Sequence, residues 1–540
     1  MKLKKSRQKK TQMYNENIIV KDWRNVDLSF GLIYPNVYKI AMSSYSIRLL
    51  YFMINSHDNY VCERIFLPER IKFPASQDTT SEEKLRSIEN KILPNQFDIL
   101  GFSIQFENDF KNILWILEKA GIPLSYKERK ESSIQKKAIF PLIVGGGPVA
   151  TSNPMPLSKV FDLFFVGDSE PNLDLVLKLF LKYKSNKTTF LKFLKLAASI
   201  EGIYVPFLSN KVKRAVLKNL DESSIPNYQL ITKASSENAI FEDRFFIEVN
   251  RGCPFQCKFC ISSYHNSPFR NRSFENITNA IEEGIRYSDF NTISLIGSCV
   301  SAHPQFSEIC EFIINKSKRL TIPSIRIEHL TSEVIQILEK GNIKTITVAP
   351  ETGSEKLRYE LGKKISNDKI ILLLKEIKAS KIKNVKLYFL IGLPNETERE
   401  IDETIEFLKV LGKIDFNRAS LRVSVNPLVP KLNTPYEKEI NSFLKENIKT
   451  FKLKYQKLEQ ELKNISTIKL KFLNSKMIIN NAKLQALISL GDLNTCDFLI
   501  NYYLNGANFG ALRRTEKELN FSLDEYLLKI KGCYTPWKFD

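Results

Sequence analysis

Eleven short apolar runs, alternating with amphipathic helical stretches, constrain this 540-residue chain more than any other feature. Repeated strand–helix alternation builds parallel sheets, because each return to the same sheet edge needs a crossover. The runs fall into two series. The first comprises residues 31–35, 63–68, 97–106, 140–147 and 163–167, with helices expected near 43–55, 108–120 and 171–182. Runs this uniformly apolar read as strands buried on both faces, and they predict a doubly wound α/β domain over 1–235. Such a domain opens its ligand crevice outside the carboxyl ends of its strands. The second series, at 245–249, 292–297, 324–330, 345–350, 385–392 and 421–429, predicts a partial six-stranded βα barrel over 236–436. A helical C-terminal region, 437–540, follows. In it Leu444, Ile448, Phe451, Tyr455, Leu458, Leu462 and Ile465 form one apolar stripe, fit to pack on the barrel or to pair with a second copy as a dimer. Beyond the stripe the chain reads as a small helical cap ending in Tyr534-Thr-Pro-Trp537.

Directly after the first run of the second series stands Cys253-Pro-Phe-Gln-Cys257-Lys-Phe-Cys260. C-x3-C-x2-C supplies three thiolates to a centre that prefers four ligands. In a four-iron, four-sulfur cube this leaves one iron open to another molecule. The alternative is zinc, with His265 as a fourth ligand in a Cys3His set. The carboxyl edge of a barrel strand is where barrel enzymes carry their catalytic loops, and a zinc finger has no need of that scaffold. Cys62, Cys299, Cys310, Cys496 and Cys533 show no C-x-x-C spacing, so no second cluster is encoded. Cys299, just past a strand-end turn, suits a buried structural role or a hydrogen-atom donor in the barrel mouth.

With these residues in place, the sequence resembles the radical S-adenosylmethionine superfamily, whose signature is this cysteine spacing with an aromatic residue before the last Cys, here Phe259. Gly297-Ser298 stands where the family's glycine-rich second-strand turn holds the methionine amino group. Residues 350–358, from Pro350-Glu351 to Arg358, look like its fourth-strand loop, and 392–396 and 429–435 resemble the fifth- and sixth-strand signatures. The resemblance implies a [4Fe-4S] cluster on Cys253, Cys257 and Cys260, and S-adenosyl-L-methionine held with the help of Phe259, Gly297, Ser298 and Glu351. It also implies reductive cleavage of S-adenosylmethionine to methionine and a 5′-deoxyadenosyl radical, fed by a flavodoxin or ferredoxin. Read without the resemblance, Gly297 and Gly392 are ordinary turns or points where a ligand approaches the backbone, Glu351 is a solvated carboxylate or an acceptor for a ligand's hydroxyl or ammonium group, and Lys363 is a surface cation or the partner of a carboxylate.

In the first series, Gly145-Gly-Gly147-Pro148 and Gly167-Asp168-Ser169-Glu170 resemble the fourth- and fifth-strand loops of a Rossmann-like, cobalamin-binding domain. The pattern departs after the first strand. Where such domains carry Asp-x-His to ligate cobalt from below, this chain has Asn36-Val-Tyr38, and His57 lies one helix later. Cobalamin, if bound, lacks that lower ligand. Paired domains of this kind imply radical methylation or carbon–carbon chemistry on an unactivated carbon. Two alternatives are a tRNA-modifying relative, which would carry an extra three-cysteine cluster where only Cys62 is present, and a non-catalytic zinc- and RNA-binding protein.

Composition sets outer limits. With 43% hydrophobic and 26% charged residues the chain is globular. No apolar run approaches the roughly 18 residues of a membrane span. Six basic residues in Met1–Lys10 lack the apolar stretch of a secretory signal. A formal charge of +20 suits RNA or an acidic redox partner, but lysines spread along a chain rich in Lys, Ile, Asn and Phe also express compositional bias. An open iron and the lack of a regular disulfide framework predict a reducing cytoplasm.

Overall fold

Strands apolar on both faces must be covered on both. β1 (Leu28–Val37), β2 (Tyr60–Leu67), β3 (Ile99–Ser103), β4 (Leu142–Gly146) and β5 (Leu163–Phe165) line up in parallel as β2-β1-β3-β4-β5. All residues of β2 and β3 are buried. A short β6 (Ile203–Tyr204) adds an antiparallel edge. The order is that of a doubly wound sheet with its switch point between β1 and β3. Gly101 in β3 is required by the neighbouring strand: a Cβ there would lie 2.2 Å from Phe30 Cζ. The helices Tyr45–Asn55, Phe110–Lys119 and Leu173–Lys184 lie where the sequence predicts them. The computed structural model describes residues 16–74, 84–136, 139–231, 243–418, 420–471 and 473–530; Met1–Lys10, Cys533 and Tyr534–Trp537 lie outside them.

The second unit begins with β7 (Arg244–Glu248) and a small antiparallel hairpin, β8 (Asn250–Arg251) with β9 (Arg270–Asn271). β10 (Thr292–Ile296) and β11 (Arg319–Thr321) then complete a three-stranded sheet in the order β11-β10-β7. β12 (Thr345–Glu351), β13 (Asn384–Ile391), β14 (Leu421–Pro427) and β15 (Ile468–Leu470) form a parallel four-stranded sheet. On β13, Val385, Leu387 and Phe389 are buried while Lys386 and Tyr388 are exposed, so alternate positions serve one packed face.

The third barrel strand is not at 324–330. Pairing belongs to β11, which ends before Pro323, a residue that cannot donate to a ladder. The alternation that suggested a strand is real: Ile325 and Ile327 are buried, while Arg326 and Glu328, each following one of them, are only half-buried, but the stretch is extended chain and one 3-10 turn, Ile327–His329. Ile325 N donates to Thr347 O of β12 at 3.2 Å, bridging the two sheets. β15, three residues long, carries too little pattern to be read from sequence.

The stripe at 444–465 is not one helix. The chain breaks between Ile440–Lys445 and Ile448–Leu462, and Asn447 caps the second helix by accepting from Lys449 N and Thr450 N. Phe451, Tyr455, Leu458 and Leu462 are then buried within this chain, so that half of the stripe packs inside its own unit, while Ile448 is exposed. Nor is 437–540 a body of its own. The chain divides into one unit of residues up to Arg244 with Glu283–Asp289 and the segment from Leu487 onward, and a second of Phe245–Glu282 with Phe290–Ala486. Asn153 Nδ2 of the first unit donates to the carbonyls of Ser489 and Gly491, which anchors the C-terminal segment there.

Phe451 is fully buried. Phe451→Ala is expected to cost about 3–5 kcal/mol, read as a lowered urea midpoint, with no change of oligomeric state in light scattering.

Candidate active site at the strand ends of the second unit

The cysteine loop owes its place to a reversal that only glycine makes easily. Gly252 has φ +79°, and a Cβ on it would lie 2.5 Å from Asn266 O and 2.9 Å from Pro268 O. The loop is then pinned from two sides: Lys258 N donates to Leu361 O at 3.0 Å, and Tyr436 N donates to Lys258 O at 3.1 Å. Within it, Cys260 N donates to Cys257 O at 3.0 Å. Phe259 lies half-buried against the cluster of Leu357, Leu361, Leu393, Leu428 and Tyr436. The aromatic residue before the last Cys therefore anchors the loop by packing.

Cys257 is buried, while Cys253 and Cys260 are half-buried. A hydrogen bond between the Cys253 and Cys299 thiols, with burial, holds the Cys253 pKa up; the same bond lowers that of Cys299 against the opposing effect of its burial. Burial also raises Cys257, opposed by a hydrogen bond from Arg326. Thiols held neutral in this way release protons when a metal centre binds. Among the described residues no three His, Cys, Asp or Glu side chains converge as a single metal ion requires. Ligands of a cube sit on separate irons and need no common point. His265 is buried, its Nε2 2.8 Å from Leu432 O.

Further polar residues stand at three strand ends of this unit. After β10, Gly297 leaves room for Asn250, whose Oδ1 would lie 2.2 Å from a Cβ at 297; Asn250 Nδ2 donates to Cys299 O at 2.8 Å. Ser298 at this turn is exposed. At the end of β12, Glu351 is buried with φ +67°, a backbone state that a non-glycine residue adopts only when its surroundings enforce it. Lys363 supplies that force: its Nζ donates to Glu351 Oε1 at 2.5 Å and to Ala349 O at 2.7 Å. Lys363 is 14% exposed at its side chain and is not a surface cation. After β13, Glu396 Oε1 accepts from Gly392 N at 3.0 Å and from Lys454 Nζ at 2.8 Å, tying that turn to the helix Ile448–Leu462.

Sequence reasoning missed the polar residues of the stretch after β11. Arg326 stacks on Phe255, with 3.6 Å from Cζ to the ring centroid, and its Nη1 donates to Cys257 Sγ at 3.5 Å. Ser301 Oγ pairs with His329 Nδ1 at 2.9 Å. The signal was present in the period-two alternation of 325–328, which placed Arg326 and Glu328 opposite the core.

The first unit gathers a second polar group at the carboxyl ends of β1 and β3. Asp109 Oδ1 accepts from Asn36 Nδ2 at 3.0 Å and Asn112 Nδ2 at 3.2 Å, and burial pushes its pKa up to about 7. Beside β3, Gln105 Nε2 donates to Ser103 Oγ at 3.0 Å, and Ser46 Oγ pairs with Ser103 Oγ at 3.1 Å. Tyr38, at the position of the lower-ligand histidine, is buried and donates to Glu16 Oε2 at 3.0 Å. The Gly167–Glu170 loop is used internally: Asp168 Oδ2 accepts from Leu217 N and Glu170 Oε1 from Ser223 Oγ.

Two family models match the chain. Residues 46–206 match the model of radical SAM proteins, N-terminal, and residues 247–408 match the radical SAM superfamily. An uncharacterised protein of Methanocaldococcus jannaschii is 28% identical over 92% of this chain and 95% of its own length. An uncharacterised methyltransferase of Pyrococcus horikoshii is 25% identical over 40% of this chain and 46% of its own length. Among solved structures, the cobalamin-dependent S-adenosylmethionine radical enzyme OxsB, bound to aqua-cobalamin and S-adenosylmethionine, aligns with TM-score 0.51 and 14% identity, covering 93% of this chain and 72% of that one. That likeness is one of fold.

Asp109 binds its proton more tightly folded than unfolded, so its contribution to stability is full below pH 4 and is lost as pH rises toward 7. Asp109→Asn keeps the acceptor for Asn36 and Asn112 without the charge. The variant is expected to gain on wild type in urea midpoint between pH 4.5 and pH 8; parallel pH curves would contradict this.

Proposed function

Because this chain belongs to the radical SAM superfamily, we propose that Cys253, Cys257 and Cys260 each hold one iron of a four-iron, four-sulfur cluster whose fourth iron takes S-adenosylmethionine. Membership makes the chain an enzyme with a [4Fe-4S] cluster and S-adenosylmethionine as cofactors. The carrying observation is the cysteine loop itself, turned by Gly252 and pinned through Lys258. When bound, the cluster and S-adenosylmethionine supply a 5′-deoxyadenosyl radical that removes a hydrogen atom from substrate.

The chain's own residues bind and orient. At the second-strand turn Gly297 admits Asn250 in place of a Cβ, and the turn's backbone carbonyls suit a ligand's ammonium group. Glu351, held by Lys363 through Oε1, offers its other oxygen to a ligand hydroxyl or ammonium group. Ser298, exposed at the turn, adds a hydroxyl, and Phe259 keeps the loop on its apolar seat. The electron comes from a flavodoxin- or ferredoxin-type protein, for which a chain of formal charge +20 is an electrostatic match. Among the described residues no helix is long and apolar enough to cross a membrane. A reducing cytoplasm is the proposed location, since oxidants attack an open iron.

For the first unit we propose cobalamin, and methylation of an unactivated carbon as the reaction. The fold likeness to OxsB spans both units, and Ser46, Ser103 and Gln105 form a polar lining at the switch-point end of the sheet that suits a polar nucleotide tail. Asn36 and Tyr38 are committed to Asp109 and Glu16, so cobalt would receive no ligand from this loop. The tRNA-modifying alternative needs a second cluster in this unit, and Cys62 is buried within β2.

Anaerobic reconstitution of wild type is expected to give about four irons and four sulfides per chain and to release 5′-deoxyadenosine from S-adenosylmethionine. Replacing all three cysteines by Ala abolishes both; iron retained at the wild-type level overturns the cluster assignment. Added cobalamin is expected to bind with the absorption spectrum of a form lacking a nitrogen lower ligand, and S-adenosylhomocysteine then appears beside 5′-deoxyadenosine. Failure of cobalamin to bind removes the methylation reading and leaves the cluster assignment standing.

A further inference from the structure

Arg326 reaches the cysteine loop from the extended stretch after β11, and three contacts fix its guanidinium. It stacks on Phe255 at 3.6 Å, Nη1 donates to Cys257 Sγ at 3.5 Å, and Nη2 donates to Glu328 Oε1 at 2.9 Å. The backbone beneath it is held too, Arg326 N donating to Ser301 Oγ at 3.4 Å. The two side chains are 12% and 25% exposed, so water and salt screen their charges weakly.

We propose that the Arg326–Glu328 pair sets the reduction potential of the iron–sulfur centre held through Cys257, with Arg326 raising it and Glu328 moderating that effect. The inference rests on Cys257 being a cluster ligand. Reduction brings in one electron from an external low-potential donor, takes up no proton and breaks no bond, so it adds one negative charge beside Cys257. A fixed cation with an N–H directed at the sulfur stabilises the reduced state more than the oxidised one. Stacking on Phe255, a residue of the cysteine loop, holds the guanidinium at that sulfur. Glu328 draws part of the positive charge away, and its loss leaves Arg326 unopposed. Arg326 is therefore a positioning residue that acts through Cys257.

The test is a redox titration followed by electron paramagnetic resonance on full-length protein reconstituted with iron and sulfide, without S-adenosylmethionine. Iron is counted in every sample. At a solution potential near the wild-type midpoint, Arg326→Met is expected to lower the ratio of reduced to oxidised cluster about tenfold, which is about 59 mV for a one-electron couple. Arg326→Lys keeps a cation and recovers most of that loss. Glu328→Gln moves the midpoint the other way. If Arg326→Met and Glu328→Gln hold a full cluster at the wild-type midpoint, the inference is wrong and the cluster assignment survives. If wild type itself takes up no cluster, the assignment fails and the inference with it. Should Arg326→Met not retain iron, an unmoved midpoint in Glu328→Gln overturns the inference and an upward shift supports it.

Discussion

Two backbone hydrogen bonds, Lys258 N to Leu361 O and Tyr436 N to Lys258 O, hold the cysteine loop to segments that lie about a hundred and nearly two hundred residues further along the chain. A loop carrying three thiols has no local reason to keep one shape. Here it is given one by the strand ends around it: Gly252 turns the chain out of the first sheet, Phe259 seats it on an apolar cluster, and Gly362 lets Gln256 O approach without a Cβ between them. The second unit can be understood as the scaffold for that fixed loop.

The same logic explains the strained backbone at Glu351. A non-glycine residue at φ +67° persists only where its neighbours over-determine it, and the buried pairing with Lys363 does so. Glu396 and Lys454 repeat the device at the next strand end, where a helix from the C-terminal part of the chain steadies the turn after β13. Strand ends are places where backbone donors and acceptors run out of ladder partners, and in this unit buried ion pairs supply them.

Much of this was legible beforehand. Period-two patterns and apolar runs located ten of the eleven expected strands, since burial on a sheet face leaves a direct trace in residue type. That Cys253, Cys257 and Cys260 share one loop and that Gly297 and Glu351 stand at strand ends was legible, because spacing and position after a strand carry that placement. The misplaced third strand shows the limit: alternation reports which way side chains point and is silent on whether the backbone is paired, and Pro323 moved the pairing upstream to β11. Arg326 escaped for the same reason, its partners Cys257 and Phe255 lying some seventy residues away in sequence. The stripe at 444–465 had the right spacing, yet Asn447 broke it into two helices and the barrel buried its better half. Buried ion pairs such as Arg64 between Glu16 and Glu89 leave no mark in an apolar strand pattern at all.

The central claim is that three cysteines seat a cube with one iron left for S-adenosylmethionine. It is tested most directly by pulsed electron paramagnetic resonance of the anaerobically reduced protein, with S-adenosylmethionine carrying a nitrogen-15 amino group. The account predicts a hyperfine coupling between the reduced cluster and that nitrogen, absent without the ligand. A reduced cluster whose spectrum is unaltered by saturating S-adenosylmethionine would contradict it.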